Sequence, residues 1–583
     1  MSEAGQGIPH YDAIVIGSGF GGSVMTLRLA AEGRRVLLLE RGRRYPPGSF
    51  PRSPYRMGRA LWDPSQGLYG MFSVWSFDRL GAIVSSGLGG GSLIYANVLL
   101  RKDAEWFVQE DGRGGVAERW PVSREELEPH YDTAEKMLGA QRYPFDTEPY
   151  ASTPRTRAFH EAAMRLGWQP FFPPLAVTFA AEGRAPAIGE PIPEPEGRRN
   201  LHGMARSTCR LCGECDIGCN YGAKNTLDFN NLSEAAHAGA EIRDRCEVRQ
   251  VEHREGGGFV VRFVEHDLGL EGRPHDTSLL PLREVSATRV VLAAGTLGST
   301  WLLLRNQRRL GGTWPALGTR FSGNGDLLTL AITPRSPSGE LVRMESGVGP
   351  AITVAARFAG EPDPGASRGA PGRGFYIEDA GYPDMLSWAV HYASLPLWLA
   401  RQGHTIKRLI LRLLGRGADS DMSAELATLL GDAELSAGVL PLLGMGREVP
   451  GGRLGLRKGR LHTTWTPDAS RAYFDAVRAR QAELAAELGA SHQDNPAWHL
   501  GRRVITVHPL GGAPMGRSRA EGVVDPMGRV FGHPGLYVAD GSVMPGTVGP
   551  NPSLTIAAVA ERFAQGILDE PRDTPVAAVE VST

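Results

Sequence analysis

The chain has 583 residues, 42% of them hydrophobic, and its 63 Lys and Arg nearly balance 64 Asp and Glu, leaving a formal charge of −1. That length exceeds what one core organises, so two or more lobes around a shared cleft are expected. The near-zero charge argues against a nucleic-acid partner, which needs a basic stripe, and no run of eighteen apolar residues marks a spanning helix.

Residues Met1 to His10 show neither an apolar h-region nor a twin arginine, so a cytoplasmic location is the expectation. Tyr11 to Ile16 reads as a strand, Gly21 to Glu32 as a helix and Arg35 to Glu40 as a second strand ending in an acid. Between the first strand and the helix, Gly17-Ser18-Gly19-Phe20-Gly21-Gly22 matches the G-x-G-x-x-G turn of a dinucleotide site. Gly17 permits the turn, Gly19 lets the backbone meet a pyrophosphate, and Gly22 allows close packing of helix on strand. The helix N-terminus offers free N–H groups to the phosphates, and Glu40 is placed to accept hydrogen bonds from a ribose. The motif alone does not choose between NAD and FAD.

A second glycine stretch, Ser86-Gly87-Leu88-Gly89-Gly90-Gly91-Ser92, reads as a loop against which a cofactor can lie, with Asn97 following. Cys209, Cys212, Cys215 and Cys219 then have the spacing of a ferredoxin run, although Asn220 stands where that run carries proline. Three readings stay open: an iron–sulfur cluster, a structural zinc, or free or redox-labile thiols. Cys246 falls in an expected strand as a small buried hydrophobe.

Further along, Val290 to Arg305 reads VVLAAGTLGSTWLLLR, a strand, turn and helix; Val504 to Gly512 reads VITVHPLGG; Leu536 to Ile556 reads LYVADGSVMPGTVGPNPSLTI. With the N-terminal turn, these segments resemble the glucose–methanol–choline (GMC) oxidoreductase family, and within it the cholesterol oxidase branch, from Tyr11 to about Leu568. The resemblance implies an α/β fold in which a GMC-type FAD-binding Rossmann lobe, residues 1–325 and 500–583, carries a second α+β substrate-binding lobe, residues 326–499. Residues 205–225 form a cysteine-rich insert.

On the same resemblance, FAD is the cofactor, and Gly89, Gly90, Asn97, Asp540 and Gly541 join Gly17, Gly19, Gly22 and Glu40 in holding it. His508 matches the active-site histidine, a residue type suited to taking an alcohol proton near neutral pH. Asn551 faces the reacting carbon and the flavin; its position ahead of Pro552 also reads as the N-cap of a last helix, Pro552 to Ile567. Glu378 falls where cholesterol oxidases carry a glutamate in the substrate cavity, which the resemblance makes the base for isomerising a steroid double bond, with Asp379 as its rival. The sequence departs from that branch at Ile94-Tyr95-Ala96, where an asparagine is expected, so contacts at the flavin edge and the electron acceptor are in question.

Leu395 to Arg416 is apolar yet carries five basic residues, a pattern that suits a membrane surface, the cover of a greasy cavity, or a helix with one core face and one solvated face. Val439 to Met445 adds apolar bulk. The expected activity is therefore removal of hydride from the CH–OH group of a hydrophobic, sterol-like alcohol, with electrons passing to oxygen or to an acceptor protein. A flavin-dependent lyase or photoenzyme, and a flavin and iron–sulfur electron carrier, are the alternatives.

Overall fold

A first strand, β1 (His10–Ile16), a helix, α1 (Phe20–Ala31), and a second strand, β2 (Val36–Leu39), open a computed structural model. It describes residues 8–108, 118–194, 197–333, 335–336, 338–362, 372–383 and 438–570. The basic apolar segment Leu395–Arg416 lies outside the described residues.

All four residues of β2 are buried, as are the last four of β1, because both strands lie inside a sheet covered on two faces. Their sheet runs in the order Glu241–Arg243, β2, β1, Arg283–Leu292, Phe259–Glu265, Cys246–His253, with Leu536–Val538 also paired to Arg283–Leu292. Pairing is parallel around β1 and antiparallel for Cys246–His253 with Phe259–Glu265 and for Phe259–Glu265 with Arg283–Leu292. Chain crossovers leave β1 in opposite directions, toward β2 and toward Arg283–Leu292. The carboxyl end of β1 is therefore the switch point at which open α/β sheets bind ligands. Helix Gly295–Leu310 follows Arg283–Leu292 as the sequence suggests, and helix Ser553–Leu568 packs against α1.

A second sheet of six strands is antiparallel throughout: Ser491–Asp494, Leu327–Ile332, Val439–Gly446, Phe375–Asp379, Ala355–Phe358 and Pro170–Phe171. Phe375 and Ile377 point to one face, in a core with Phe474 and Val477 of helix Arg471–Glu487. The twofold repeat of a strand then sends Tyr376 and Glu378 to the other face. Tyr376 packs there with Trp106 and Met445, with Leu443 partly buried beside them.

A small third sheet pairs Phe72–Ser76 with Leu80–Ser85 and, in parallel, Leu80–Ser85 with Val504–Thr506. It brings the chain to His508. No helix among the described residues is long and apolar enough to cross a membrane.

Candidate active site

The glycine turn sits at the switch point. Gly17 has φ +102°, a left-handed conformation that L side chains avoid, and a Cβ there would run into the Ala293 carbonyl of the neighbouring strand. A Cβ on Gly22 would strike the Gly17 carbonyl, so this glycine is what seats α1 on the turn. Around Gly19 a Cβ would meet nothing within 4 Å, which leaves an open face of backbone at the N-terminus of α1. The second loop closes on the first, since a Cβ on Gly90 would be 2.5 Å from the Gly19 Cα.

Glu40 is buried, and its carboxylate already takes three donors: Ser18 N at 3.0 Å and Ser18 Oγ at 2.7 Å on one oxygen, Gly42 N at 2.8 Å on the other. Burial raises its pKa against these bonds. A carboxylate accepts about four, so Glu40 braces the turn and keeps room for one ribose hydroxyl. Ser18 Oγ in turn accepts from Gly89 N at 3.0 Å, tying the two glycine loops together.

Asn97 is fully buried with φ 72°, and neither its Oδ1 nor its Nδ2 has a hydrogen-bond partner among the described residues; Ser86 Oγ is in the same condition. Buried polar groups are nearly always paired, so these atoms await a polar ligand beside the glycine loop. Tyr95, at the point of departure noted in the sequence, stacks edge-on against Phe20 at 5.3 Å and donates to the Asn225 carbonyl at 3.2 Å. Asp540 caps the turn after Leu536–Val538, accepting from Ser542 N at 2.8 Å and Ser542 Oγ at 2.6 Å, as an Asp-Gly turn should. A Cβ on the next residue, Gly541, would press on Thr296 Oγ1.

The chemical groups gather around one turn, Ser322–Asp326. Asp326 Oδ1 lies 2.8 Å from His508 Nδ1, while its Oδ2 accepts from Thr506 Oγ1 at 2.8 Å and Val507 N at 2.9 Å. A carboxylate oxygen accepts, so Nδ1 is the nitrogen that donates to Asp326, and Nε2 lies outside this bond. Two residues earlier, Asn324 Nδ2 donates to the Gly549 and Pro550 carbonyls at 3.2 and 3.1 Å, fixing the loop that ends at Asn551.

Asn551 departs from the expected cap. The helix begins at Ser553 with Pro552 at the capping position and no side-chain cap bond. Asn551 Nδ2 donates instead to Glu378 Oε2 at 3.3 Å, and both Asn551 Oδ1 and Glu378 Oε1 are buried without a partner among the described residues. A hydrogen bond across 173 residues has won over local capping. Glu378 lies between Ala355 and Leu443 on the neighbouring strands, and this apolar burial pushes its pKa up to about 8. Asp379 points to the opposite face, where it meets Arg155 at 2.9 Å with both side chains fully buried and accepts from Thr353 N and Val354 N. It is a structural acid.

The four cysteines do not meet the metal-site expectation. Among the described residues no three His, Cys, Asp or Glu side chains converge as ligands. Cys209 packs with Tyr143, Val177 and Leu211, with Cys219 partly buried against the same group, and burial, followed by the neighbouring Cys215 thiol, pushes the Cys212 thiol up to about 12. Cys209 and Cys246 are buried, the other three half-buried, and all five cysteines are free.

Two sequence models described as GMC oxidoreductase match residues 198–307 and 460–560, and one described as an NAD(P)-binding Rossmann-like domain matches residues 15–50. A cholesterol oxidase of Mycobacterium tuberculosis is 31% identical over 95% of this chain and 91% of its own. The chain belongs to the GMC oxidoreductase family. Among other GMC relatives, a cholesterol oxidase of Acinetobacter baumannii is 28% identical over 95% of this chain and 93% of its own, and a paromamine 6'-oxidase of Streptomyces fradiae 27% identical over 96% and 91%. The crystal structure of a pyridoxine 4-oxidase from Mesorbium loti shares the fold, with TM-score 0.52 at 17% identity over 96% of this chain and 99% of its own.

As a GMC oxidoreductase the protein is an FAD-dependent enzyme acting on CH–OH donors, and its relatives favour alcohol oxidation over the lyase and electron-carrier alternatives. The residues present fit FAD: open backbone at Gly19 for the pyrophosphate and unpaired Asn97 beside the second loop. Sequence reasoning missed Asp326 and Asn324. The Asn324-Gly325-Asp326 run ahead of the apolar strand Leu327–Ile332 signals a turn, but nothing local shows that it reaches His508.

Proposed function

We propose that the enzyme oxidises a hydrophobic, sterol-like alcohol and passes the electrons to oxygen, with His508, Asn551 and Glu378 at the reacting centre. The observation that carries this reading is the pairing of Asp326 with His508 and of Glu378 with Asn551 around one turn. Bound FAD supplies the hydride acceptor. His508 Nε2 takes the hydroxyl proton, with Asp326 holding the tautomer and stabilising the imidazolium. Asn551 Oδ1 is free to orient the substrate hydroxyl, and Glu378, protonated at neutral pH, moves a proton within the cavity.

An apolar ligand suits the sheet face that carries Glu378, since Tyr376, Leu443 and Met445 flank it. In this reading the FAD lobe comprises residues 1–325 and 500–583 and the substrate lobe residues 326–499, with helix Pro154–Arg165 and strand Pro170–Phe171 lent to the second sheet. A greasy alcohol suits an enzyme that visits a membrane surface.

The test is anaerobic mixing of the FAD-loaded enzyme with a panel of alcohols. A 3β-hydroxysterol should bleach the flavin, and air should restore its colour. If no alcohol bleaches it, the reading fails. The identity to a paromamine 6'-oxidase puts an aminoglycoside in the panel, and bleaching by that compound alone would replace the sterol.

A further inference from the structure

The loop Pro545–Pro550, which delivers Asn551, gives none of its carbonyls to a backbone donor among the described residues. Side chains from distant parts of the chain take five of the six instead. Arg320 Nη1 donates to Pro545 O at 3.3 Å, and Asn324 takes the Gly549 and Pro550 carbonyls. Between these, Lys102 Nζ donates to Thr547 O at 2.8 Å and Val548 O at 3.2 Å.

Lys102 is fully buried, with its ammonium over the Trp120 ring at 4.5 Å and the Phe107 ring at 5.5 Å. Glu118 and, more weakly, Asp103 support its charge, and Glu118 is itself shared with Arg447 at 3.2 Å and Arg373 at 3.4 Å. Burial pushes Lys102 down to about 7. Taking an ammonium out of water is costly. Packing between two aromatic rings would be met as well by leucine or methionine. What the ammonium adds is a pair of charge-assisted bonds to consecutive carbonyls, and these fix the path of the chain three residues ahead of Asn551.

We propose that Lys102 is a positioning residue for the reaction: its ammonium, by holding Thr547 O and Val548 O, sets where Asn551 stands against Glu378 and the bound flavin. The proposal rests on Asn551 facing the flavin as well as the substrate, as the family resemblance implies, and the flavin contact is read without alcohol.

The holoenzyme, Lys102→Met, Asn551→Ala and the double variant are titrated anaerobically against a reference dye, and the equilibrium between oxidised and reduced flavin is read. Each single variant should shift that equilibrium toward oxidised flavin by roughly tenfold, and the double variant no further than Asn551→Ala, because the two act as one unit. A change under about twofold in Lys102→Met, or shifts that multiply in the double variant, overturns the proposal. A lowered Tm with an unchanged equilibrium marks a purely structural lysine and overturns it as well. Should Lys102→Met not fold, Lys102→Gln, with a neutral donor on a shorter stem, is read by the same outcomes. Loss of FAD from a folded Lys102→Gln also counts against it, since positioning Asn551 does not require holding the cofactor. Failure of every alcohol would sink the proposed function and leave this titration readable.

Discussion

His508 Nδ1 and Asp326 Oδ1, 182 positions apart in the chain, lie 2.8 Å from each other, and the carboxylate receives two further donors from the residues just before the histidine. The acid is thus built into the strand end that presents the imidazole, and it selects which nitrogen is free. Asp326→Asn keeps the shape and loses that selection. Flavin reduction by the alcohol should slow roughly 10²-fold or more, with FAD content unchanged; a stopped-flow rate within threefold of wild type would count against the pairing.

Glu448 stands behind the same turn, buried, with one oxygen accepting from Gly323 N. Burial raises its pKa to about 8 from 4.5. The folded state therefore holds a proton that the unfolded chain releases, and stability falls as pH rises through that window. Glu448→Gln, which is neutral throughout, should melt higher than wild type at pH 9 and show no such advantage at pH 5. Melting curves at the two values decide it.

The two glycines of the first turn should fail in different ways. Gly22→Val forces a side chain into the Gly17 carbonyl and should abolish folding, whereas Gly19→Val enters space that no protein atom occupies. Its apoprotein should melt like wild type and bind FAD at least about tenfold more weakly, a loss of about 1.4 kcal/mol. Titration by flavin fluorescence measures this.

Glu378→Gln removes an ionisable proton and keeps a polar group beside Asn551 Nδ2. Flavin reduction by a 3β-hydroxy-5-ene sterol should stay within about threefold, while migration of the ring double bond is lost. Chromatography of the products distinguishes the two steps, and an isomerised product from the variant would rule out Glu378 as the shuttle.

Cys212→Ala and Cys219→Ala, alone and together, should retain FAD and the rate of flavin reduction. Metal analysis of the wild-type protein should find iron and zinc well below one per chain. A stoichiometric metal would contradict the packing seen around Cys209.

The parts of the fold that were legible in the sequence are those set by neighbours in the chain. β1, α1 and β2 begin and end within a residue of expectation because strand, glycine turn and helix follow one another directly. Glu378 is proposed on resemblance alone, and the strand alternation that sends it and Asp379 to opposite faces becomes visible only with the strand in place. Asn551 shows the limit: a local rule makes it a cap, and only the approach of strand Phe375–Asp379 gives its amide another acceptor. Asp326, Asn324 and Lys102 were invisible for the same reason, since their partners lie hundreds of residues away and depend on the meeting of two sheets.

The turn Ser322–Asp326 has one more implication. It anchors His508 through one residue and the approach to Asn551 through another, while Tyr376, Leu443 and Met445 sit on other strands. Under the proposed function, the parts that react and the parts that choose the alcohol would then be mounted separately, so substitutions on the sheet face would change the preferred alcohol and leave the His508 pairing untouched.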